Sequence, residues 1–311
     1  MTEKLIVHFN EMPVLQYNID YLTYCKRCRT YNLGDKACVS CGEKHEISIQ
    51  LLALYAVRKR FVIRIMLIIL SFIGFALISP KLSLVCLEFL LSSLCIGMNG
   101  CIYKKYKEDM LLKEIEAHVK SNGQKIKEDL RMQMQKAIQD VEEGNVVEAY
   151  DRFRYLAKLI DNDDIRTYKL ICLRNFKLRS DMPLELNTLL QKEGNSFLVD
   201  YIYEVSKIRK DLIDDATLQY IIENKEQVLA KHKGNRIVAS VLSGALKSKF
   251  LFIKYAYEMP GFIKYFSRER LLRLCKMSKE IKDVTLKINL LREVKDIVGE
   301  DKKFEVYLRG L

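Results

Sequence analysis

Three observations in the 311-residue chain predict a mainly α fold: a small N-terminal β module, a transmembrane helical hairpin and a C-terminal irregular all-α domain. Four cysteines fall in two close pairs before residue 42, one apolar block runs from Phe61 to Tyr103, and beyond residue 104 apolar side chains recur at spacings of three and four. The predicted domains are 1–57, 58–103 and 104–311. A mean hydropathy of -0.06 looks like that of a soluble protein only because it averages the block with charged sequence on both sides. Charged residues at 30% and hydrophobic ones at 49% exclude long disorder, and four prolines with 13 glycines exclude collagen-like sequence. The net charge of +12 calls for an acidic partner, which nucleic acid and anionic lipid headgroups satisfy equally.

In the N-terminal module, Cys25 and Cys28 are separated by a nine-residue gap from Cys38 and Cys41, giving Cys-x2-Cys twice. Two such knuckles place four thiolates within reach of one tetrahedral ion at about 2.3 Å. Tyr24-Cys25-Lys26-Arg27-Cys28 and Cys38-Val39-Ser40-Cys41-Gly42 resemble the short bacterial zinc-ribbon module, which has an aromatic before the first pair and a glycine after the second. Arg29 stands where that family usually has a first glycine. The resemblance covers about 25 of 311 residues and implies one structural Zn ion on Cys25, Cys28, Cys38 and Cys41. It implies no single activity, since the module is a recurrent add-on. Four thiolates leave no open position for water, and such a module takes on the order of 10 kcal/mol of its folding free energy from the metal. A disulfide is disfavoured in a cytoplasmic setting, and a redox dithiol would need a thioredoxin-like βαβ unit that the sequence lacks. His45 could serve as a substitute ligand but reads as a surface residue, and a RING would need eight ligands. Lys26, Arg27, Arg29, Lys36 and Lys44 make the module basic, yet a loaded four-thiolate zinc site carries -2 and cancels most of the surplus of three over residues 1–60. Protein docking is therefore expected of it rather than strong nucleic-acid binding. Ile47 to Val57 reads as a closing strand running into a membrane-surface segment.

Phe61 to Ser79 is 19 residues with Arg64 as its one charge, close to the length that crosses about 30 Å of hydrocarbon. Its 13 Leu, Ile, Phe and Val side chains contribute about -4 to -8 kcal/mol, against a cost below about 3 for an Arg one turn from the end. After Ser79-Pro80-Lys81, Leu82 to Tyr103 carries ten such residues and is marginal alone, with one span followed by a buried soluble helix as the rival reading. Ser92, Ser93, Gly97 and Gly100 suit close packing on the first span. Arg58, Lys59 and Arg60 before the hairpin, and Lys104, Lys105 and Lys107 after it, predict an integral protein of a bacterial-type plasma membrane with both termini cytoplasmic. Glu88 and Asn99 are the intramembrane polar candidates. Glu88 reads as a carboxylate near the outer headgroups, with a small-ion pathway as the sharper alternative, and Asn99 as an interhelical hydrogen-bonding group.

From Lys104 the chain carries 41 Lys/Arg against 33 Asp/Glu. Met110, Leu111, Ile115 and Val119, then Leu130, Met134, Ile138 and Val141, form helical stripes, with a break expected at Ser121-Asn122-Gly123. Further boundaries are expected at 161–164, 180–183, 193–196, 233–235 and 259–261. Gly144, Ala149 and Phe153 resemble the second half of a tetratricopeptide repeat, while Gln133 and Asp140 stand where its first half has aromatics. Gly-Asn recurs at 194–195 and 234–235, and intervals of 50 and 40 predict irregular helical hairpins, with a true solenoid as the alternative. Lys247, Lys249, Lys254, Lys264, Arg268, Arg270 and Arg273 interleave with seven aromatics, a pattern that could stack on single-stranded nucleic acid or rest on an anionic bilayer. The plainer reading buries the aromatics in a helix pair broken at Pro260-Gly261 and leaves the cations in solvent.

No catalytic constellation emerges: His8, His45, His118 and His232 are isolated, and Gly244 to Ser248 lacks the Gly-Lys pair of a phosphate loop. Asp161, Asp163 and Asp164 read as a capped loop, and Cys172 and Cys275 as core. The expected function is that of a non-enzymatic, membrane-anchored scaffold binding protein partners, with homo-oligomerisation open. The alternative is a membrane-tethered nucleic-acid-binding or signal-responsive effector using the Lys247 to Arg273 face.

Overall fold

The computed structural model describes residues 4–308 apart from 10, 11, 14, 16, 35, 36, 44, 45, 79, 80 and 192. It is mainly helical, with a small three-stranded antiparallel sheet near the N-terminus, two long apolar helices and an all-helical C-terminal region. The contacts divide it into two compact units, one of residues 13–139 and 158–160, the other of residues 1–12, 140–157 and 161–311.

In the first unit the sheet runs in the order β2-β1-β3, from β1 (Leu22–Cys25), β2 (Tyr31–Leu33) and β3 (Glu46–Ser48). The register pairs Tyr24 with Tyr31 on one side and with Ile47 on the other. β3 leads directly into α1 (Ile49–Ile78), 30 residues and therefore about 45 Å long. Ile49, Ala53 and Val57, at helical spacing, are its buried residues and lie on the portion that packs against β1 and β3. Residues 49–57 are thus the first turns of the long helix rather than a separate surface segment.

α2 (Leu82–Glu142) is 61 residues long, with one non-helical residue at Tyr106 (φ -110°, ψ 15°). It pairs with α1 through stacked Phe61 and Tyr103 rings, 4.4 Å between centroids, and an edge-on Phe72–Phe89 contact at 5.8 Å. Both helices are long and apolar enough to cross a membrane. The Ser79-Pro80 turn lies outside the described residues. The break expected at Ser121-Asn122-Gly123 does not occur. Ser121 Oγ and Asn122 Nδ2 both donate to the His118 carbonyl, at 3.0 and 2.9 Å, so the polar side chains fold back onto the helix instead of ending it.

The second unit comprises α3 (Val146–Leu159), α4 (Asp163–Arg174), α5 (Ser196–Ile208), α6 (Asp215–Glu223), α7 (Lys225–Leu229), α8 (Gly234–Ala245), α9 (Lys249–Tyr255), α10 (Arg268–Met277), α11 (Val284–Val298) and α12 (Lys302–Leu308). The apolar α8 is its hub, packing on α5, α6, α7 and α9. Two glycines permit that centrality. A Cβ on Gly244 would lie 2.9 Å from the Ile213 side chain, and one on Gly234 would lie 2.3 Å from the Val228 carbonyl. The chain's first residues also belong here: Leu5 exchanges backbone hydrogen bonds with Asn175 and Lys177, both 2.8 Å, and the Phe9 ring rests on Tyr150 and Phe176. Gly144 turns the chain at φ 85°, with Ala149 and Phe153 fully buried beyond it.

Candidate metal centre

Cys25 closes β1, and the two knuckles form equivalent turns. The Arg29 amide donates to the Cys25 carbonyl at 2.9 Å, and the Gly42 amide to the Cys38 carbonyl at 2.8 Å. Each turn requires a left-handed residue, Arg29 at φ 60° and Gly42 at φ 72°. Arg29, the departure from the ribbon pattern, therefore adopts the conformation that a glycine would normally supply.

The turns converge the thiols. Cys25 and Cys41 have their sulfurs 3.6 Å apart, Cys28 and Cys38 theirs 3.3 Å apart, and all four lie within 4.8 Å of one another. Disulfide bonding needs about 2.05 Å, whereas a tetrahedron of 2.3 Å metal–sulfur bonds spaces sulfurs about 3.8 Å apart. The four cysteines are therefore free thiols close enough together that they could hold one metal ion. Around them, Thr30 Oγ1 lies 2.9 Å from Cys28 Sγ, and Asn32 Nδ2 donates to Cys38 Sγ at 3.3 Å. Burial pushes the Cys38 thiol up, but hydrogen bonds from Thr30 and the Cys41 and Ser40 amides outweigh it and bring the pKa to about 6. The Glu43 amide pulls Cys41 down, yet burial and the neighbouring thiols drive it up to about 12. Four thiolates so close repel one another unless a cation takes the place of their protons. His45 and the basic residues Lys36 and Lys44 lie outside the described residues.

The three-stranded sheet is also anchored to α2 by contacts that no spacing rule anticipates. Buried Asp129 accepts from the Tyr31 amide at 2.8 Å, buried Gln133 donates to the Tyr31 carbonyl at 2.8 Å, and the Tyr31 hydroxyl lies 2.9 Å from His118 Nε2. Burial lowers the His118 pKa and raises that of Tyr31, so both are held neutral. The available signal was polar residues at core spacing: α2 buries Ile126, Asp129, Leu130, Gln133, Ala137 and Asp140, a stripe displaced from the purely apolar one. Asp140 accepts from Arg152 at 2.9 Å. The positions that depart from the tetratricopeptide pattern thus carry specific polar contacts.

The other candidate residues are dispersed. Glu88 and Asn99 are half-buried and make no hydrogen bond or ion pair among the described residues. In the Lys247 to Arg273 stretch, Phe252, Tyr255, Phe262 and Phe266 are buried, while Phe250 and Tyr257 are exposed. Lys249, Lys254 and Arg268 pair with Glu280, Asp215 and Asp301. Lys247, Arg270 and Arg273 donate to backbone carbonyls of Asp211, Ser243 and Lys247, and Lys264 lies over the Tyr265 ring.

Comparison with family models, curated proteins and solved structures finds no match. The geometry of the chain itself therefore carries the functional reading.

Proposed function

We propose that the chain is a membrane-anchored cytoplasmic scaffold whose metal centre is a structural zinc ribbon, presenting protein-docking surfaces beside the bilayer. The observation that carries this reading is the closed four-thiol site fastened through Tyr31 to α2, the same helix whose apolar half is long enough to cross a membrane. A site with four protein ligands offers no position for substrate, so its metal holds shape rather than performing chemistry. Zinc is favoured over other metals by the all-sulfur tetrahedral donor set in a non-redox setting. The basic flanks of the hairpin support an orientation with both termini cytoplasmic. Protein rather than nucleic acid is favoured as partner because six of the seven cations between Lys247 and Arg273 are engaged within the chain.

Metal analysis of the purified full chain should return about one zinc per chain, as a single tetrahedral site requires, and a folded metal-free sample would sink the ribbon assignment. Protease accessibility of both termini in inverted but not in right-side-out vesicles is expected. Association with nucleic acid should show no salt-dependent slope beyond that of a vesicle-only control.

A further inference from the structure

At the base of the hairpin, α1 and α2 border an open cavity of about 230 Å³ lined by the exposed Arg60, Arg64 and Lys113 and by Glu114, Asn99 and Tyr103, among others. Three cations face one carboxylate there, and that carboxylate is already matched, since Arg60 and Glu114 form an ion pair. Among the described residues, Arg64 and Lys113 make no ion pair and Asn99 makes no hydrogen bond. Arg64 lies one turn inside the apolar run, where an unpaired guanidinium is costly. Tyr103, stacked on Phe61, marks the depth, because tyrosine rings are enriched at the level of the headgroups. Arg64 lies on the apolar side of that pair, while Arg60 and Lys113 lie on the charged side in sequence.

We propose that this cavity binds the phosphate of an anionic membrane phospholipid, with Arg64 and Lys113 as the charge partners and Tyr103 as a neutral donor. The proposal rests on the reading that the two helices cross a membrane. A phosphate accepts from several donors at once and supplies the negative charge that Arg64 lacks. The volume falls short of the ~300–1,000 Å³ of drug-sized ligand sites, which suits a headgroup phosphate better than a nucleotide. A basic pocket between helices at the inner membrane surface is the setting in which anionic headgroups are held individually rather than as a diffuse layer.

The test uses the full chain in neutral detergent, where no extended charged surface exists and diffuse attraction drops out. It is incubated with equimolar phosphatidylglycerol and phosphatidylcholine, and bound lipid is counted by native mass spectrometry. The wild-type chain should retain phosphatidylglycerol at least tenfold over phosphatidylcholine. Arg64→Gln and Lys113→Gln should each lower that retention about fivefold, the worth of one cation near a phosphate. Arg64→Lys should keep most of it, and the double change Lys104→Gln, Lys105→Gln outside the cavity should leave it unchanged. Arg64→Gln makes the span more apolar, so insertion survives the change, and metal content and helical circular dichroism check that each variant folds. Equal retention of the two lipids, a loss as large in the Lys104/Lys105 variant, or displacement by inorganic phosphate as effective as by lipid would each overturn the site. Release of the wild-type chain from vesicles by alkaline extraction would instead overturn the membrane reading.

Discussion

Arg29 is the residue at which the ribbon pattern and the chain disagree, and the backbone explains how the disagreement is tolerated. Its φ of 60° places a side chain where a Cβ costs roughly 1–2 kcal/mol, about half of which a glycine would give back through its greater freedom in the unfolded chain. Arg29→Gly should therefore stabilise the metal-loaded ribbon by up to about 1 kcal/mol, read as a higher denaturant midpoint with unchanged metal content. His118 offers a pH test at the same scale. Its pKa in the folded chain lies below the ordinary value of 6.5, so the folded chain binds fewer protons than the unfolded one. The stability it contributes is complete above about pH 6.5 and is lost as pH falls below that. Protease protection of the ribbon should weaken between pH 7 and 5 in the wild type, and His118→Gln should remove that part of the dependence while metal content is monitored in parallel. If the two profiles coincide, His118 is not the titrating group. Of these residues, the cysteines were legible because metal ligation imposes a spacing. His118 was not, since its role depends on a tyrosine 87 positions away in sequence.

At the scale of elements, hydropathy and periodicity located the two apolar helices and the helix boundaries at 161–164, 193–196 and 233–235, because each is a local property of the chain, whereas the strand expected over Ile47 to Val57 ends at Ser48. The expected break at Ser121-Asn122-Gly123 failed for a reason that can be tested. No atom beyond Gly123's chain neighbours and helix backbone lies within 4 Å of the position its Cβ would occupy, so the residue is in a helix with no demand for glycine. Gly123→Ala should stabilise α2 by roughly 0.5–1 kcal/mol, raising helical signal and melting temperature, whereas a true break would make the change neutral or harmful. Gly234 is the opposite case. With the Val228 carbonyl 2.3 Å from a Cβ, Gly234→Ala should destabilise the hub helix. The three Gly-Asn pairs are thus no repeat in function: Gly144 supplies a left-handed turn, Asn195 caps α5 by accepting from the Phe197 and Leu198 amides, and Gly234 permits close backbone approach. Composition alone does not distinguish these uses.

Across the whole molecule, the ribbon is held on α2 by two buried polar residues, and each truncation leaves a buried partner without its bond. Asp129→Ala or Gln133→Ala should cost about 1–3 kcal/mol of docking of the sheet on α2 and open residues 22–33 to protease with metal content unchanged. Loss of metal without increased cleavage would show that the contacts serve the site instead. The N-terminal residues make the second long-range connection, since Leu5 and Phe9 pack in the helical unit although the ribbon follows them in sequence. By itself the sequence determined the four-thiol centre, the two apolar helices and the helical character of the remainder, because spacing, hydropathy and periodicity are properties of neighbouring residues. Only the tertiary structure decided that Tyr31 is clasped by Asp129 and Gln133, that Leu5 pairs with the segment just after α4, and that Arg60, Arg64 and Lys113 share one cavity. These arise from pairings between distant positions, where a buried polar group must find its partner wherever the fold brings one within reach.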